Sequence, residues 1–540
     1  MARVRCSYAW SILLVVLLLG SACTAAPPLP QPAATIRPVS TAPELTQPPV
    51  SPVAAMTATP QGTAQVVGSG THHLIVLYTN DEHGWIAPVT AKNGAQTGGD
   101  ALLAGRWQQV EGYRPGGPFL VLSGGDMWTG PAISTWFNGD SAAEMMNALG
   151  YQAAAIGNHE FDFGLDTLRR HAQGAKFPYL AANLVRKTDG QPPDFARPFT
   201  LVTVDGLRIG VVGLSNTATP QTTRPSNVAD FTFLPYQQAL EQWVPQVRAA
   251  GADFVFVVGH ICATEMRDLA PAAQKLGVSL IAGGHCHERI ATEAAGIPLV
   301  EAGKYLESYA RIDLELDPAR HAVLSQKAKI VDVAAGPEHA TPDPAIAARV
   351  AVWQEKTDTA LGEEIGYTKS GLPAKSDLLF NLVTDAWLAA YPTAQIAVNN
   401  AGSYRQGLSA GPIRLRDIVG VLPFNDTLVD AAVTGAELEE NLSCCGGVVG
   451  GVTFSGGRAM LTGAKGAAER PLGRGTTYHV LINDFMAGGG DRYKFGQQDP
   501  KAYDTGIDWR QPVIDYIKSL HTSEANPLEA HLDGQARTGK

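Results

Sequence analysis

Five short segments of the chain end in side chains of the types that bind metal ions, and four of these segments follow an apolar run. Short runs of Val, Ile, Leu and Phe are typical of buried parallel strands. In open α/β sheets, ligands gather at the carboxyl ends of such strands, so we expect these side chains to meet at one edge. The candidate ligands are Asp81, His83, Asp126, Asn158, His260, His285 and His287.

Two Asp, one Asn and four His are the ligand types of a two-metal hydrolase, in which two cations about 3.5–4 Å apart clamp a phosphoryl group. The third segment also holds a His–Asp pair, His159 and Asp162, beside Asn158. Taken singly, a histidine or aspartate after a strand is more often a structural polar group. The full set favours a catalytic site, because several strand-end ligands are not expected to converge by chance.

The length and composition indicate a globular protein with more than one domain. The chain has 540 residues, of which 45% are hydrophobic and 17% charged, and this length predicts two large domains. The net charge of −10 argues against nucleic acid as a partner, because nucleic-acid binding needs basic patches. An anionic substrate would then be held locally, by cations or by a few Arg and Lys side chains.

The N-terminus has the pattern of a targeting segment. Two arginines precede an apolar stretch at 12–19, which is too short to span a membrane. Small residues then lead into Cys23, and this resembles the lipobox of bacterial lipoproteins, with Gly20 where that motif prefers Leu. We therefore expect a signal peptide over 1–23 and acylation of Cys23. An ordinary secretory signal with a chance cysteine is the alternative.

Residues 24–70 follow this cysteine and are rich in Pro, Thr, Ala and Gln, with almost no charge. Such a stretch cannot bury a core and is predicted to form an extended tether. A tether after a lipid-bearing cysteine would suit an exported enzyme held at the cell surface or in the periplasm. The membrane would then be a partner only through the lipid anchor.

Four cysteines lie beyond this N-terminal segment. Cys262 follows one candidate ligand by two residues and Cys286 lies between two others, so both are expected at the same sheet edge. A Cys262–Cys286 disulfide is geometrically plausible, and export permits it. A thiolate ligand at Cys286 fits less well beside nitrogen and oxygen ligands. Cys444 and Cys445 are either free or joined to each other, and the sequence does not choose between these.

The pattern of elements changes along the chain. Strand and helix patterns alternate over 71–335, which indicates a layered α/β domain. A helix is predicted within 336–362, because Asp343 can cap it and apolar residues then recur at helical spacing; it would link the two domains. Strand and helix patterns are mixed over 363–525, and the polar residues 526–540 are predicted to be a loose tail.

The five ligand-bearing segments resemble, in order and spacing, the five sequence blocks of calcineurin-like metallophosphoesterases. They are Thr79–Gly84, Gly124–Asp126, Gly157–Asp162, Gly259–His260 and Gly283–His287. Within that group the chain is most similar to the bacterial 5'-nucleotidase / UDP-sugar hydrolase family, which its C-terminal part also resembles. The resemblance implies an N-terminal four-layer α/β/β/α domain that a linker helix joins to a smaller α+β substrate-binding domain.

The resemblance also implies a role for each candidate ligand. Two divalent metals would be held by three residues each, namely Asp81, His83 and His287 for one and Asn158, His260 and His285 for the other. Asp126 would bridge the metals, which would be Mn, Zn, Co or Fe, and a water or hydroxide between them would attack phosphorus. His159 would stabilise the transition state or protonate the leaving oxygen, and Asp162 would orient its imidazole.

The substrate-binding blocks of this family resemble three segments of the C-terminal part, which are Asn400–Arg405, Pro423–Asp426 and Asp484–Asp491. The resemblance implies that Phe424 and Phe485 stack on a nucleobase, at about 1–3 kcal/mol per stacked base. Polar contacts to substrate would come from Asp491 on a ribose hydroxyl, Arg405 on a phosphate and Asn400 on a base edge or ribose. Where the family places further arginines, only Lys375 is present, a point charge without the fork of Arg.

Together these features predict an exported, lipid-anchored, monomeric phosphohydrolase that removes phosphate from nucleoside 5'-monophosphates. UDP-sugars and 2',3'-cyclic nucleotides are further candidate substrates. Two alternatives stay open. One is a hydrolase of sulfur compounds similar to the thiosulfohydrolases, which share the fold; the pair of phenylalanines argues against it. The other is a surface protein that binds nucleotides without catalysis; the intact ligand set argues against that.

Overall fold

A computed structural model describes most of the chain. The described residues are 70–90, 94–336, 340–455, 458–462 and 469–537. The predicted signal peptide at 1–23 with its acylation site Cys23, and the predicted tether up to residue 69, lie outside the described residues. Within the part of the chain that the structure describes, no helix combines the length and the apolar character needed to cross a membrane.

Two six-stranded sheets form the centre of the N-terminal domain. The first runs, in spatial order, through Ala322–Asp332, Ser308–Asp317, His72–Thr79, Phe119–Ser123, Ala153–Ala155 and Tyr179–Leu180. The second runs through Arg289–Ala294, Ile297–Ala302, Val278–Ala282, Phe254–Gly259, Leu207–Leu214 and Phe199–Val204. The strands that precede the ligand segments pair in parallel, whereas the hairpins at the sheet edges are antiparallel.

Both faces of the central strands are covered, which explains their continuous apolar sequences. Along His72–Thr79, Leu74 and Val76 pack into a core between the two sheets. Ile75 and Leu77 pack into a second core beneath the helices. Because successive side chains of a strand point to opposite faces, a strand in this position needs apolar residues at every step.

Helices cover the outer face of each sheet and complete four layers. Those against the first sheet are Asp100–Gln109, Asp140–Leu149 and Gly164–Gly174, and those against the second are Tyr236–Ala249 and Ala263–Lys275. Short helices at Ala132–Thr135 and Thr219–Thr222, and short strand pairs at Val89–Thr90 with Gln96–Thr97 and Leu184–Arg186 with Phe231–Phe233, lie in the connections. The predicted four-layer α/β/β/α architecture is confirmed.

The C-terminal domain is built on one five-stranded sheet of mixed direction. Its strands are, in spatial order, Val448–Gly450, Ile396–Asn399, Thr477–Asn483, Thr427–Thr434 and Tyr503–Asp508. One core holds the helices Asp377–Ala390, Leu415–Val421 and Gln511–Ser519, and another holds Gly435–Cys445, Asp484–Ala487 and Phe495–Gln498. The smaller sheets are Glu364–Thr368 with Gly411–Arg414, and Val452–Ser455 with Arg458–Leu461 and Arg470–Pro471. This is the expected smaller α+β domain.

The helix between the domains is Pro344–Leu361. Asp343 caps it, because its side chain accepts a hydrogen bond from a first-turn backbone N–H at 2.8 Å. Trp353 lies against Phe137 of the N-terminal domain, with ring centroids 5.2 Å apart. Leu361, at the other end, joins a core of the C-terminal domain. The helix therefore packs against both domains.

The end of the chain differs from the loose tail that its polar sequence predicted. Within 526–537, Leu528 is fully buried. The Asn381 side chain donates hydrogen bonds to the backbone carbonyls of Asp533 and Gln535 at 2.7 and 2.9 Å. Contacts between a side-chain amide and a distant backbone leave no apolar pattern, so the sequence did not reveal them.

Candidate active site

The seven predicted metal ligands converge where the parallel strands of the two sheets end. Each lies in a turn directly after a strand, so the strand positions its backbone. Five of them have a left-handed backbone with φ between 48° and 78°, namely Asp81, His83, Asp126, His285 and His287. This conformation is costly for residues other than glycine and clusters at functional sites. The tight turns thus aim these side chains into a shared space.

Asp81, His83 and His287 form one group of candidate metal ligands. The Nε2 atoms of His83 and His287 lie 3.8 and 3.3 Å from Asp81 Oδ1 and 3.3 Å from each other. Three ligand atoms of different residues therefore lie around one point, and these are the three residues that the family resemblance assigns to one metal.

Asp126, His260 and His285 form a second group. His260 Nε2 lies 2.9 Å from Asp126 Oδ2 and 3.1 Å from His285 Nδ1. Asp126 Oδ2 also lies 3.9 Å from Nε2 of His83 in the first group. One carboxylate therefore borders both groups, which is the position expected of a bridging ligand.

The free donor atoms of these residues fit divalent metals. Asn158 Oδ1 and Asp81 Oδ1 are buried and have no hydrogen-bond partner among the described residues. His83 and His260 each place Nδ1 against a backbone carbonyl oxygen, at 2.9 and 3.0 Å. Nδ1–H is then the donor, and the Nε2 lone pair of each ring is left for a metal, the usual arrangement for metal-binding histidines.

The charges at this edge favour cations. Burial opposes ionisation of Asp81, but the imidazoles of His260 and His287 outweigh it and lower the pKa of Asp81. Burial likewise disfavours the protonated form of His260, yet the carboxylates of Asp126 and Asp81 raise the pKa of His260 to about 10. The carboxylates therefore stay charged at neutral pH, and a bound cation would displace the histidine proton.

His159 and Asp162 form the predicted pair. Nδ1 of His159 donates to Asp162 Oδ2 at 2.6 Å, and Asp162 Oδ1 accepts from the Thr223 hydroxyl at 3.0 Å. Burial disfavours the protonated imidazole, but Asp162 and Asp126 raise the pKa of His159 above its usual value. The second ring nitrogen, Nε2, lies 3.9 Å from Asp126 Oδ2 and so faces the ligand edge.

Arg405 of the C-terminal domain reaches this histidine. Its Nη2 donates to His159 Nε2 at 2.8 Å, and its guanidinium carbon lies 5.4 Å from the centre of the Phe424 ring. Phe424 itself stacks on His159, with ring centroids 5.7 Å apart and an interplanar angle of 26°. Geometry alone would also group His159 with His83 and Asp126 around a metal. The cationic Arg405 on Nε2 disfavours that arrangement and leaves His159 outside the ligand set.

A cavity of about 200 Å³ joins the ligand edge to the C-terminal domain. Its lining includes predicted residues of both domains, namely Asp126, Asn158, His159, Asp162, His285, His287, Asn400, Arg405, Phe424, Phe485 and Asp491. Lys375 is not among the described residues that line it. This lysine is exposed in the turn before Asp377–Ala390, where Ser376 caps the helix and holds the turn at the surface. The prediction that Lys375 binds substrate is therefore not supported by its position.

Other contacts shape the C-terminal side of the cavity. Asn400 Nδ2 donates to Asp491 Oδ2 at 2.8 Å, and Asn483 Nδ2 donates to Asn400 Oδ1 at 3.0 Å. Asp491 has a φ of 50°, in the left-handed region. Phe485 lies over Gly490, where an added Cβ would come within 2.3 Å of the ring. Glycine at that position thus leaves room for the phenylalanine.

Glu160 has a role that the sequence pattern did not reveal. Its carboxylate accepts hydrogen bonds from the backbone N–H groups of Asp126, Met127 and Gly157 at 2.8, 2.8 and 2.6 Å. One side chain thus ties the turn of Asp126 to the turn of Asn158. The only signal in the sequence was a charged residue inside a motif whose neighbours are buried ligands.

Two disulfides lie in the described part of the chain. Cys262 is joined to Cys286, as their positions suggested. This bond connects the turn after His260 to the turn that carries the last two histidine ligands, so it crosslinks two ligand turns. Cys444 and Cys445, which the sequence left open, are joined to each other.

Two family models match the chain. Residues 75–289 match the calcineurin-like phosphoesterase model, and residues 359–497 match the model of the 5'-nucleotidase C-terminal domain. The matches fall on the two domains in the expected order and together span more than half of the chain. The chain belongs to the 5'-nucleotidase family. This family places it among the hydrolases of phosphoric esters.

Known proteins resemble the chain over different extents. The trifunctional nucleotide phosphoesterase protein YfkN of Bacillus subtilis (strain 168) is 25% identical over 481 residues, and the match covers 76% of this chain but 32% of that protein. Protein UshA of Escherichia coli (strain K12) is 27% identical over 531 residues, with coverage of 86% and 93%. The 5'-nucleotidase precursor from Thermus thermophilus superposes with a TM-score of 0.74 at 25% identity, over 86% of this chain and 99% of that one.

Proposed function

We propose that the chain hydrolyses nucleoside 5'-monophosphates to nucleosides and inorganic phosphate. The observation that carries this proposal is the cavity in which metal-type ligands and His159 meet Arg405, Phe424 and Asp491. A nucleoside monophosphate needs cation-binding and polar groups around its phosphate and an aromatic surface beside its base, and this cavity offers both next to each other. UDP-sugars and 2',3'-cyclic nucleotides are proposed as further substrates of the same cavity.

Two divalent metals are proposed, since two groups of three ligands share a border at Asp126. Mixed nitrogen and oxygen ligands suit Mn, Zn, Co or Fe. Such cations would polarise the phosphoryl group and activate a water molecule. The side chains Asp81, His83 and His287 would hold one of them, and Asn158, His260 and His285 the other.

The remaining chemistry falls to the chain's own side chains. Asp162 accepts from Nδ1 of His159 and so fixes the imidazole with Nε2 toward the ligand edge. In this arrangement Nε2 accepts from Arg405 and carries no proton. Once a substrate phosphate draws Arg405 away, the raised pKa of His159 favours a proton on Nε2, which would then stabilise negative charge on the phosphoryl group or pass to the leaving oxygen. Arg405 already lies on Nε2 at 2.8 Å, so a phosphate oxygen that enters the cavity would meet both groups together.

Nucleoside recognition is assigned to the opposite side of the cavity. Phe424 and Phe485 both line it and would stack on the base, which favours many bases with little discrimination. The hydrogen-bonded pair of Asn400 and Asp491 offers polar atoms to the ribose hydroxyls. We also propose that the enzyme acts as a monomer, and a site whose lining comes from one chain is compatible with this.

Export and lipid anchoring at Cys23 are part of the proposal. The sequence pattern of 1–23 supports them. The two disulfides are compatible with this, since such bonds persist in oxidising compartments outside the cytosol.

The test is phosphate release from AMP by the purified chain, after a chelator has removed metals and after Mn²⁺, Zn²⁺ or Co²⁺ has been restored. We expect release only with metal, and a loss of about 10²–10⁴-fold in His159→Ala. His521→Ala, an exposed histidine of the C-terminal domain, is the matched control. If no metal supports hydrolysis of AMP, UDP-glucose or a cyclic nucleotide, the proposal fails, and a sulfur-compound substrate or nucleotide binding without catalysis becomes the better interpretation.

A further inference from the structure

Three consecutive residues of the N-terminal domain, Thr222–Arg224, contact both the catalytic residues and the C-terminal domain. The backbone carbonyl of Thr222 accepts from Asn158 Nδ2 at 3.1 Å, which leaves Asn158 Oδ1 for a metal. The hydroxyl of Thr223 donates to Asp162 Oδ1 at 3.0 Å. Two neighbouring residues therefore orient a predicted metal ligand and the carboxylate that orients the catalytic imidazole.

Arg224 extends from the same segment to two carboxylates of the C-terminal domain. Its Nη2 lies 3.0 Å from Asp426 Oδ1 and 3.0 Å from Asp484 Oδ2. Asp426 comes two residues after Phe424, and Asp484 directly precedes Phe485. One guanidinium therefore holds both turns that carry the proposed base-stacking rings.

The two carboxylates need this cation. Burial, with a further contribution from Asp484, raises the pKa of Asp426 above its usual value, and burial also raises that of Asp484. Arg224 acts against both shifts. Burial and Asp484 raise the pKa of Asp426 to about 8, so at neutral pH the two carboxyl groups share a proton, and Arg224 pairs with the negative charge that remains. Without the guanidinium, that largely buried charge would lie unpaired where the two domains meet, which disfavours docking of the C-terminal domain.

The segment is also held by a contact on the C-terminal side of Arg224, so a displacement of Arg224 can be transmitted to the turn that carries the catalytic imidazole. Pro225 begins the short 3₁₀ helix Pro225–Val228. From it, Asn227 Nδ2 donates to the backbone carbonyl of Phe161 at 2.8 Å. Phe161 lies between the two members of the His159–Asp162 pair. The stretch that bears Arg224 is thus fastened on both sides to the turn that carries the catalytic imidazole.

We propose that Arg224 is a positioning residue that docks the C-terminal domain and couples this docking to the order of the catalytic site. With the domain docked, Arg224 is fixed, and the preceding residues hold Asn158 and Asp162. When docking is lost, the same segment is released and both contacts loosen. The proposal rests on the proposed function only in taking Asn158 and the His159–Asp162 pair as active residues.

The experiment compares Arg224→Gln with Arg169→Gln in the full chain. Arg169 is a matched control, because it belongs to the same domain and pairs with two aspartates, Asp166 and Asp194. Its side chain is 38% exposed, against 36% for Arg224. Two measurements need no turnover: hydrogen exchange of the peptides that cover 158–162, and the domain separation from small-angle X-ray scattering.

We expect Arg224→Gln to speed hydrogen exchange at 158–162 about tenfold and to increase the domain separation obtained from scattering. Arg169→Gln should change neither quantity. Arg224→Lys should restore part of the effect, since it keeps the charge without the fork. In kinetics, kcat for AMP should fall about tenfold in Arg224→Gln, and for a base-free phosphate ester as well, because the catalytic pair itself is loosened.

Exchange and scattering equal to those of Arg169→Gln would overturn the proposal, whatever the rate of AMP hydrolysis. If Arg224→Gln does not fold, Asp484→Asn removes the opposite partner, and it is judged in the same way against Asp194→Asn. A wild-type chain that does not hydrolyse AMP would count against the proposed function alone, since the exchange comparison still decides the role of Arg224.

Discussion

The ligand edge of the N-terminal domain and the substrate face of the C-terminal domain border one cavity but are held in place by different means. At the ligand edge, buried strands end in strained turns, and backbone groups fix the side chains of Asp81 and His260. On the substrate face, side chains hold one another, as Asn400 holds Asp491. There the turn of Phe424 also depends on a contact across the domains.

This difference predicts two classes of variant. Changes at the ligand edge should abolish turnover of every phosphate ester, because they alter groups that act on phosphorus. Changes on the substrate face that remove only base or ribose contacts, such as those at Phe424 and Asp491, should spare small esters and reduce the advantage of nucleotides. A ligand-edge variant that impairs only nucleotide turnover would show that the two regions do not act separately. A variant of a base or ribose contact that abolishes turnover of small esters would show the same.

The largest effect is expected at the carboxylate that borders both ligand groups. Asp126→Asn removes its charge, so we expect a loss of about a thousandfold in kcat for any phosphate ester. Metal content from elemental analysis should fall in parallel. Asp166→Asn, at a fully exposed position, serves as control. If Asp126→Asn kept near-normal turnover and metal content, Asp126 would not be a ligand shared by two metals.

An intermediate effect is expected from the disulfide between the ligand turns. Replacing Cys262 and Cys286 by Ser together frees the two turns from each other, and we expect about tenfold weaker metal binding. Competition with a chelator measures this without turnover. The matched control replaces Cys444 and Cys445, which lie in the other domain. Equal metal affinity in the two double variants would contradict the crosslinking role.

The smallest effect is expected at Lys375. Its side chain is exposed and away from the cavity lining, so Lys375→Ala should change kcat/KM for AMP by less than about twofold, as for ordinary surface positions. A loss of tenfold or more would mean that substrate reaches this turn, and the substrate face would then extend beyond the cavity.

The sequence predicted the ligand edge because residue type and local position carried the information there. The position of a polar ligand that follows an apolar run can be predicted from the sequence, because the strand ends of a parallel sheet lie together at one edge. The helix before the C-terminal domain was predicted for a similar local reason, its apolar spacing after Asp343. These signals are independent of how distant parts of the chain come together.

The features that escaped prediction depend on long-range placement. Glu160 binds backbone N–H groups of a turn more than thirty residues away, and backbone donors have no sequence signature. Arg224 meets Asp426 only when the domains are in contact. The exposure of Lys375 and the anchoring of 526–537 likewise depend on tertiary packing. Periodicity and motif spacing record none of these contacts.

The most direct test of the division between the two regions is the ratio of kcat/KM for AMP to that for ribose 5-phosphate, measured in the wild type and in Phe424→Ala. Both substrates carry the same phosphate ester, and only one carries a base. We expect the wild type to prefer AMP by about 5- to 150-fold, from roughly 1–3 kcal/mol of stacking. Phe424→Ala should lose most of that preference, because its kcat/KM falls for AMP and not for ribose 5-phosphate. An equal rate constant for both substrates in the wild type, or a loss in Phe424→Ala that is the same for both, would contradict the account.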